Sequence, residues 1–347
     1  MRVLITGHDG YIGTVLAPML LRSGHDVVGL DTFLYADGDF GPQPLQISAL
    51  RKDLRDVIPD DLVGFEAVFH LAAISNDPVG DLDPEVTYEI NYRASVRLAE
   101  AAKASGVSRF VFSSSCSLYG AASPDDILSE EAAFNPVTPY GRSKVLAECD
   151  IAALADERFS PVFLRNATAY GVSPRLRTDI VVNDLVGHAL TGGTVLIKSD
   201  GTPWRPLIHV EDIARAFISV LHAPRDAIHG QAFNVGQTSE NYQVRDIAEI
   251  VAEAVPDSEV LYAEGAGHDT RSYRVDFSKI GQHVPTFEPA WTVPDGVLQL
   301  AEAYTREGLT AEQFSGSWYT RIGTIKRLQA AGVLGADLRR VNQVTST

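Results

Sequence analysis

The sequence predicts an α/β fold, in which a doubly wound parallel sheet is accompanied by a smaller mixed α/β unit in the C-terminal half. Three observations lead to this prediction. Short apolar runs rich in β-branched residues alternate with segments of helical periodicity. No hairpin signal joins consecutive runs, which indicates βαβ units and parallel strands. Small residues and glycines follow several of the runs, at the strand ends where parallel sheets bind their ligands.

The first predicted elements are a strand, a turn and a helix in direct succession. Residues 2–6 are apolar and predict a buried strand, and a helical pattern runs over residues 15–20. Between them lies the turn G-x-x-G-x-x-G, formed by Gly7, Gly10 and Gly13. Glycines let the main chain approach a pyrophosphate, and the free N–H groups at the start of a helix bind phosphate. The segment therefore predicts a dinucleotide site.

An acidic residue ends the second predicted strand, residues 26–30. Asp31 follows Gly13 by eighteen positions, which is where a carboxylate accepts hydrogen bonds from the ribose hydroxyls of a dinucleotide. A carboxylate there repels a 2′-phosphate, so the sequence favours NAD over NADP. Asp9, inside the glycine turn, puts a negative charge near the expected phosphates. The pattern gives it no role beyond that of a local cap.

The remaining elements continue the alternation of strands and helices. Residues 32–50 are rich in Gly, Pro and Asp and predict an irregular loop. Further strands are predicted at residues 67–73, 109–113, 161–165 and 232–236. Helices are predicted at residues 85–105, 179–190, 244–255 and 318–331, and glycines end the first two of them.

A further helix is predicted to begin at Thr138 and Pro139, which suit the N-cap and the first helical position. Tyr140 and Lys144 are four residues apart and therefore share one face of this helix. A free phenol has a pKa of about 10, too high for a base near neutrality, but an ammonium group nearby lowers it. A serine that reaches the same substrate oxygen would hold it in place. Tyr-x-x-x-Lys also occurs by chance as a surface pair, so its meaning depends on the preceding glycine turn.

The composition excludes some classes of function. The net charge of −16 argues against general binding to nucleic acid or to anionic membranes. The first residues already form a predicted strand and no apolar run reaches membrane-spanning length, so neither a signal peptide nor a membrane anchor is expected. Two cysteines, Cys116 and Cys149, in 347 residues favour a reducing cytoplasm. No metal-ligand cluster is present in the pattern, so no metal site is expected.

Several motifs resemble the extended short-chain dehydrogenase/reductase family, which includes nucleotide-sugar epimerases and dehydratases. The matching motifs are Gly7-x-x-Gly10-x-x-Gly13, Asp31, Asp53-Leu54, His70-Leu71-Ala72-Ala73, Asn91, Ser113-Ser114-Ser115 and Tyr140-x-x-x-Lys144. This resemblance implies a Rossmann-type fold. It implies an NAD-binding domain over residues 1–170, with returning segments at about 205–236, and a substrate-binding domain over residues 171–204 and 237–347.

The resemblance also implies the residues of the site. Ser115, Tyr140 and Lys144 would be catalytic. The cofactor-binding residues would be Gly7, Gly10, Tyr11, Ile12, Gly13, Asp31, Asp53, Leu54, Leu71, Ala72, Ala73, Asn91, Ser113, Tyr140 and Lys144. The substrate-binding residues would be Ser75, Asn76, Ser115, Thr168, Arg205 and Asp269, with Arg205 on the substrate diphosphate.

The match departs from the family at two positions in the substrate region. Relatives commonly carry an asparagine where this chain has Thr168. The arginine that they often carry three positions before the equivalent of Asp269 is Ala266 here. Arg271 and Arg274 are the two candidates to replace it, and the sequence does not choose between them.

By the same resemblance, the chain is an NAD-dependent nucleotide-sugar epimerase that acts at C4 through a transient 4-keto sugar, with NAD held tightly. Dehydratases of the family have Asp-Glu directly after the catalytic hydroxyl, where this chain has Cys116-Ser117. Cys116 is either a packed small residue or a proton-transfer thiol. The alternatives are a reductase that consumes NADH, a dehydratase, and a non-catalytic NAD-sensing regulator.

The expected partners are a nucleotide-diphosphate sugar and a second copy of the chain. Relatives commonly pair two helices from each subunit in a four-helix contact. The helix from Glu85 and the helix from Tyr140 are the candidates for this homodimer contact.

Overall fold

A computed structural model describes residues 1–75, 77–123, 126–267 and 271–341. The strands are β1 (Arg2–Thr6), β2 (Asp26–Asp31), β3 (Ala49–Arg51), β4 (Ala67–His70), β5 (Arg109–Ser115), β6 (Ile127–Leu128), β7 (Ser160–Asn166), β8 (Thr168–Tyr170), β9 (Thr194–Ser199), β10 (Trp204–His209), β11 (Ala232–Val235), β12 (Asn241–Gln243), β13 (Glu259–Gly267) and β14 (Arg274–Val275). The helices are α1 (Gly13–Arg22), α2 (Asp77–Gly80), α3 (Pro84–Tyr88), α4 (Ala94–Ala104), α5 (Pro139–Ala152), α6 (Val181–Gly192), α7 (Val210–His222), α8 (Arg225–Ile228), α9 (Val244–Ala254), α10 (Ser278–His283), α11 (Val293–Arg306), α12 (Ala311–Ser315) and α13 (Arg321–Ala330).

Seven parallel strands form the main sheet, in the order β11-β7-β5-β4-β1-β2-β3. The register places Leu4 of β1 between Val28 of β2 and Val68 of β4. Strand order reverses at β1, because β2 and β3 lie on one side of it and the later strands lie on the other. Ligands of doubly wound sheets bind at the carboxyl ends of the strands beside this reversal. The predicted α/β fold with a Rossmann-type sheet is confirmed.

The main sheet is buried on both faces. Val3 and Ile5 belong to the apolar cluster under α1 and α7, whereas Leu4 belongs to the cluster under α4 and α5. Neighbouring residues of a strand point to opposite faces, so a strand covered on both sides must be apolar throughout. This explains why β1 and its neighbours appear in the sequence as continuous apolar runs rather than as alternating ones.

The helix boundaries follow local signals in the sequence. The Thr138 hydroxyl accepts a hydrogen bond from the N–H of Gly141 (3.1 Å) and caps α5, with Pro139 in the first turn. α6 ends at Gly193, whose φ of 68° is the left-handed conformation that glycine favours. The helix predicted at residues 85–105 is present as α3 and α4, which a π-helical segment (Glu89–Arg93) joins.

The C-terminal half builds a second, smaller unit with its own core. Helices α6, α9 and α11 pack with β9 around a cluster that includes Val186, Ile197, Ile247 and Leu300. Its strands form small sheets, β12-β10-β8 and the parallel pair β13-β9. Between these elements the chain returns to the main sheet, since α7 packs beside α1 and β11 forms the edge strand.

Two features of the fold differ from the sequence-based expectation. The segment expected to be a loop over residues 32–50 ends in an additional edge strand, in which Leu50 of β3 pairs with Leu30 of β2. The last helix, within the range expected to form the substrate unit, packs instead on the nucleotide-binding side. Its apolar residues Ile325 and Leu328 join a cluster with Ile74.

Candidate active site

The carboxyl ends of the central strands open into a cavity of about 300 Å³. Every residue predicted to bind the cofactor lines this cavity except Asn91. These residues come from the glycine turn after β1 and from the ends of β2, β4 and β5, together with the start of α5. The topology therefore brings together side chains that lie up to 137 positions apart, from Gly7 to Lys144.

The glycine turn fits a dinucleotide because no side chain can stand where its glycines lie. A Cβ on Gly7, whose φ is +73°, would lie 2.8 Å from the main-chain nitrogen of Ala72. A Cβ on Gly13 would lie 2.4 Å from the carbonyl oxygen of Gly7. The turn thus packs main chain against main chain and leaves the N-terminal end of α1 open to the cavity, as a pyrophosphate requires.

Asp31 lies at the end of β2 and lines the cavity. Its carboxylate accepts hydrogen bonds from the main-chain N–H groups of Phe33 (2.8 Å) and Asp9 (3.0 Å). Burial raises the pKa of Asp31, although these two hydrogen bonds oppose the shift. The carboxylate is fixed in orientation and each oxygen keeps acceptor capacity for a ribose hydroxyl. The residues present therefore fit NAD.

Asn91 does not line the cavity. Its side-chain oxygen accepts from the N–H of Ile74 (2.7 Å), and its amide nitrogen donates to the carbonyl of Ile74 (2.9 Å). Both polar atoms of the Asn91 side chain are thus hydrogen-bonded to the main chain of Ile74. Asn91 therefore fixes the cavity wall after β4 and would act on a cofactor only indirectly, through the position of that wall.

Ser115, Tyr140 and Lys144 converge at one end of the cavity. The Lys144 ammonium is buried (3% exposed), donates to the carbonyl of Ser113 (2.7 Å) and lies 5.8 Å from the ring centre of Tyr140. Burial raises the pKa of Tyr140 to about 12, and its hydrogen bond with Ser115 opposes the rise. Burial lowers the pKa of Lys144 to about 7. A phenolate at Tyr140 would favour the ammonium form of Lys144.

A second, larger cavity of about 990 Å³ adjoins the first one. Ser75, Ser117, Thr168 and Arg177 line both cavities and mark their junction. The larger cavity reaches into the C-terminal unit, where the walls are formed by α6 and β9. Ser115, which lines the smaller cavity, donates to the hydroxyl of Ser117 at the junction (3.0 Å), so the predicted catalytic serine lies next to the larger cavity.

The residues predicted to bind substrate divide into three groups. Ser75, Thr168 and Arg205 line the larger cavity, and Ser115 lines the smaller one at the junction. Asn76 and Asp269 lie outside the described residues.

Two arginines face the larger cavity from the C-terminal unit. Arg205 donates hydrogen bonds to the main-chain carbonyls of Trp204 and Arg271. Of the two arginines that the sequence left as candidates, Arg271 lines the cavity, whereas Arg274 stacks on the ring of Trp204 (5.1 Å). Arg271 pairs with Asp77 (2.8 Å), which lines the same cavity, and Arg205 and Arg271 present planar donors of the kind that bind a diphosphate.

Cys116 lies in the core and not in either cavity. It is fully buried, and its thiol donates to the carbonyl of Arg165 (3.1 Å). Burial raises the pKa of this thiol far above its usual value. A packed small residue describes Cys116 better than a proton-transfer group does. Ser117, the next residue, faces the junction of the cavities.

The structure gives a role to Asp9, which the sequence pattern left without one. Arg175, from the loop after β8, donates to the Asp9 carboxylate (2.7 Å) and to the Asp9 carbonyl (3.2 Å). Nearby, the Tyr11 hydroxyl donates to the carbonyl of Gly171 (2.7 Å). Asp9 is thus one partner of a buried ion pair that fastens the glycine turn to the C-terminal half.

Arg177 is the functional candidate that sequence reasoning missed at the junction. Its guanidinium is buried, donates to Asp179 (2.8 Å) and reaches toward Ser75. Burial alone would raise the pKa of Asp179, but the charge of Arg177 holds it below its usual value. No local motif marks it in the sequence, because Arg177 lies in the loop after β8 and lines the cavity together with residues of the N-terminal half.

Within the described ranges, no group of three or more His, Cys, Asp or Glu residues is arranged to hold a metal ion. The helices of the same ranges include none that is long and apolar enough to span a membrane.

Comparison with known proteins identifies relatives that are similar along most of the chain. The model of the NAD dependent epimerase/dehydratase family matches residues 3–236. The UDP-glucose 4-epimerase of Mycolicibacterium smegmatis is 32% identical over 325 residues, which are 88% of this chain and 98% of that protein. The UDP-glucose 4-epimerase of Corynebacterium glutamicum is 30% identical over 269 residues, 73% of this chain and 80% of that protein.

Among solved structures, MoeE5 in complex with UDP-glucuronic acid and NAD is 30% identical to this chain. The superposition has a TM-score of 0.77 and covers 89% of this chain and 100% of MoeE5. MoeE5 has also been solved with UDP-glucose and NAD, and that structure superposes with a TM-score of 0.75.

Proposed function

Because this chain belongs to the NAD-dependent epimerase/dehydratase family, we propose that it is a nucleotide-sugar epimerase that acts at C4. Its cofactor is NAD. The observation that carries the proposal is that Ser115, Tyr140 and Lys144 line one cavity, and that the Ser115 hydroxyl donates to that of Ser117 (3.0 Å), which lines both cavities. A sugar held at this junction would present one hydroxyl to Tyr140 and one face of its ring to the cofactor.

Bound NAD supplies a reversible acceptor for the hydride on C4 of the sugar. Tyr140, as the phenolate, takes the proton from the C4 hydroxyl, and the oxidised product is a 4-keto sugar. Ser115 donates a hydrogen bond to the same oxygen and keeps it beside Tyr140. The 4-keto sugar then rotates in the cavity, so that the hydrogen returns to the opposite face of C4. Tyr140 gives its proton back to the C4 oxygen. Atoms and electrons balance, and no water or external reductant takes part.

Lys144 supports this chemistry through its charge and its position. Its bond to the Ser113 carbonyl fixes the ammonium next to the phenol. A positive charge at that distance stabilises the phenolate more than the phenol, and this opposes the upward shift that burial imposes on Tyr140. The nicotinamide cation would act in the same direction.

The surroundings of Ser115 favour epimerisation over dehydration. A dehydratase needs an acid to expel the hydroxyl at C6, and the residue after Ser115 is the buried, neutral Cys116. Ser117 faces the junction, but a hydroxyl is a poor general acid at neutral pH. Neither of the two residues that follow Ser115 is an acid that would drive the elimination of water, which favours reduction of the ketone back to an alcohol.

The second cavity supports a nucleotide diphosphate as the handle of the substrate. Arg205 and Arg271 present guanidinium groups to it, and planar donors of this kind bind phosphate oxygens in pairs. The relatives named above are UDP-glucose 4-epimerases, and MoeE5 has been solved with UDP-sugars. We therefore place a UDP-sugar first among the substrates to test.

The proposal includes a homodimer formed through two helices. α4 and α5 lie side by side, and the Tyr92 hydroxyl on the π-helical segment donates to Asp150 on α5 (2.5 Å). Leu146 on α5 is an exposed apolar residue on this pair of helices. Light scattering on the purified protein tests the proposal, and Leu146→Asp should convert the dimer into a monomer.

The decisive experiment incubates the purified protein with a panel of UDP-, dTDP-, GDP- and CDP-sugars, with and without added NADH. Mass spectrometry and NMR identify the product. An isomer of unchanged mass that forms without NADH supports the epimerase. Loss of water would instead show a dehydratase, a gain of two hydrogens that depends on NADH would show a reductase, and NAD binding without turnover would show a regulator.

Running the same reaction in D₂O tests which carbon of the sugar is epimerised. Epimerisation at C4 returns the original hydrogen, so the product should carry no carbon-bound deuterium. Epimerisation beside the ketone, at C3 or C5, passes through an enolate and takes up deuterium from solvent. Deuterium in the product would therefore contradict action at C4 alone.

A further inference from the structure

The last helix places a buried cation in the cofactor cavity. Arg321, the first residue of α13, is 5% exposed and lines the cavity. Its guanidinium stacks on the ring of Tyr35 at 4.0 Å, and its main-chain N–H donates to the Asp179 carboxylate (3.1 Å). The stacking places the charged end of the side chain at the wall of the cavity.

Arg321 differs from its two arginine neighbours in its partners. Arg175 pairs with Asp9 and Asp39, and Arg177 pairs with Asp179. Among the described residues, no carboxylate lies within salt-bridge distance of the Arg321 guanidinium. Its side-chain hydrogen bond is a long one of 3.5 Å, to the carbonyl of Arg175.

The Asp179 carboxylate acts on the Arg321 charge but is paired with Arg177, so it offsets the burial of Arg321 only in part. Burial and the nearby charge of Arg177 lower the pKa of Arg321 to about 10, so it remains charged at neutral pH. Desolvation of such a charge costs free energy that its surroundings must offset. An anion bound in the cavity would provide that offset.

The location of Arg321 in the smaller cavity indicates which anion it binds. The same cavity contains Gly10, Tyr11 and Ile12, at the start of α1, where a dinucleotide pyrophosphate binds. Arg321 does not line the larger cavity, which has its own cations in Arg205 and Arg271. We propose that Arg321 binds the pyrophosphate of NAD together with the glycine turn. This inference rests on NAD as the cofactor, and it does not depend on which reaction follows.

Arg321 lies in the part of the chain that follows the range of the family model, residues 3–236. Its helix is anchored by Ile325 and Leu328 against Ile74. The segment after the helix is also fixed, since Arg340 donates to the carbonyl of Phe33 (2.9 Å).

Further contacts of this segment secure the same side of the cavity. Arg55 donates to the carbonyl of Asp337 (2.8 Å), and Arg339 pairs with Asp56 (2.7 Å). Leu338 lines the cavity beside Asp53. Arg321 therefore belongs to a segment that forms one side of the cofactor cavity, and contacts with the N-terminal half hold this segment in place.

Exchange of bound NAD tests the proposal directly on the purified protein. We compare the wild type with Arg321→Gln and Arg321→Lys, and we use Lys326→Gln as the control, because Lys326 is an exposed cation on the same helix. The NAD content is measured after denaturation, and exchange with labelled NAD is followed over time. Arg321→Gln should release NAD about tenfold faster or more, since a charge-assisted hydrogen bond to phosphate is lost. The rate of NAD release from Arg321→Lys should lie between those of the wild type and Arg321→Gln. The rate from Lys326→Gln should match the wild type.

Ligand fragments separate a pyrophosphate contact from a general loss of structure. Protein freed of NAD is melted with NAD, with ADP or with adenosine. Arg321→Gln should lose most of the stabilisation by NAD and ADP, and should keep that by adenosine. Equal loss with all three ligands, or exchange of NAD at the wild-type rate, would overturn the proposal. If the glutamine variant does not fold, Arg321→Lys decides by the same comparison. A wild type that binds NAD but converts no sugar would refute the proposed reaction and leave this inference standing.

Discussion

The two halves of the chain contribute to the cofactor cavity in different ways. The N-terminal half supplies short turns that directly follow strands, such as Gly7 to Gly13 after β1, and contacts the ligand site largely through main chain and small side chains. The C-terminal half supplies long cationic side chains, Arg177 and Arg321, from separate elements. Main-chain recognition constrains neighbouring residues and leaves a motif in the sequence. Recognition by single long side chains leaves none.

The largest expected effect concerns the N-terminal half. Tyr140→Phe removes the hydroxyl that exchanges a proton with the sugar, and turnover should fall about a thousandfold. The NAD content should stay at the wild-type level, because the glycine turn is untouched. Tyr262→Phe is the matched control, since Tyr262 is exposed and lines neither cavity. A Tyr140→Phe protein with near-normal turnover would remove the basis of the mechanism.

The next effect tests the ion pair that joins the two halves. Asp9→Ala leaves Arg175 buried with only the more exposed Asp39, and the free energy of unfolding should fall by about 3 kcal/mol. Urea unfolding measures it. Arg175→Met in the same chain removes the unpaired charge and should restore part of the loss. If the double variant is no more stable than Asp9→Ala, the pair does not act as a unit.

A third prediction compares the buried cations of the two halves. The pKa of Lys144 is lowered from 10.5 to about 7, so between these values the folded protein binds fewer protons than the unfolded chain. Stability of the NAD-free wild type should therefore rise with pH across this window. Lys144→Met should melt about 5 °C higher than the wild type at pH 7, and the difference should vanish near pH 10.5.

The control for this comparison is Lys326→Met, on an exposed residue, which should show no such pH dependence. Arg321 provides the contrast within the cavity, because its pKa of about 10 keeps it charged across most of the same window. A stability difference for Lys144→Met that stays constant from pH 7 to pH 10 would mean that Lys144 keeps its proton in the folded protein.

The smallest expected effect separates the two cavities. Arg205→Lys keeps the charge but loses the planar pair of donors, and KM for the nucleotide sugar should rise about tenfold. Exchange of bound NAD should not change, which is the reverse of the pattern expected for Arg321→Gln. Arg245→Lys, at an exposed position, serves as the control. Equal effects of Arg205→Lys on NAD and on the sugar would show that the cavities do not act separately.

The contrast between the halves also explains how far the sequence could be interpreted. The glycine turn, Asp31 and the Tyr140–Lys144 pair were predictable, because each consists of residues within one turn or at the end of one strand. β3 was missed because three residues are too few for a strand pattern. Arg177 and Arg321 were missed because they come together only when α13 packs against the N-terminal half, and nothing local marks that contact.

The position of α13 in the chain order has a consequence for how the holoenzyme is made. The strands and turns of the N-terminal half precede Arg321, Ile325 and Leu338, which come after all other residues that line the cavity. The complete cavity therefore exists only once α13 and the residues that follow it have packed against the N-terminal half.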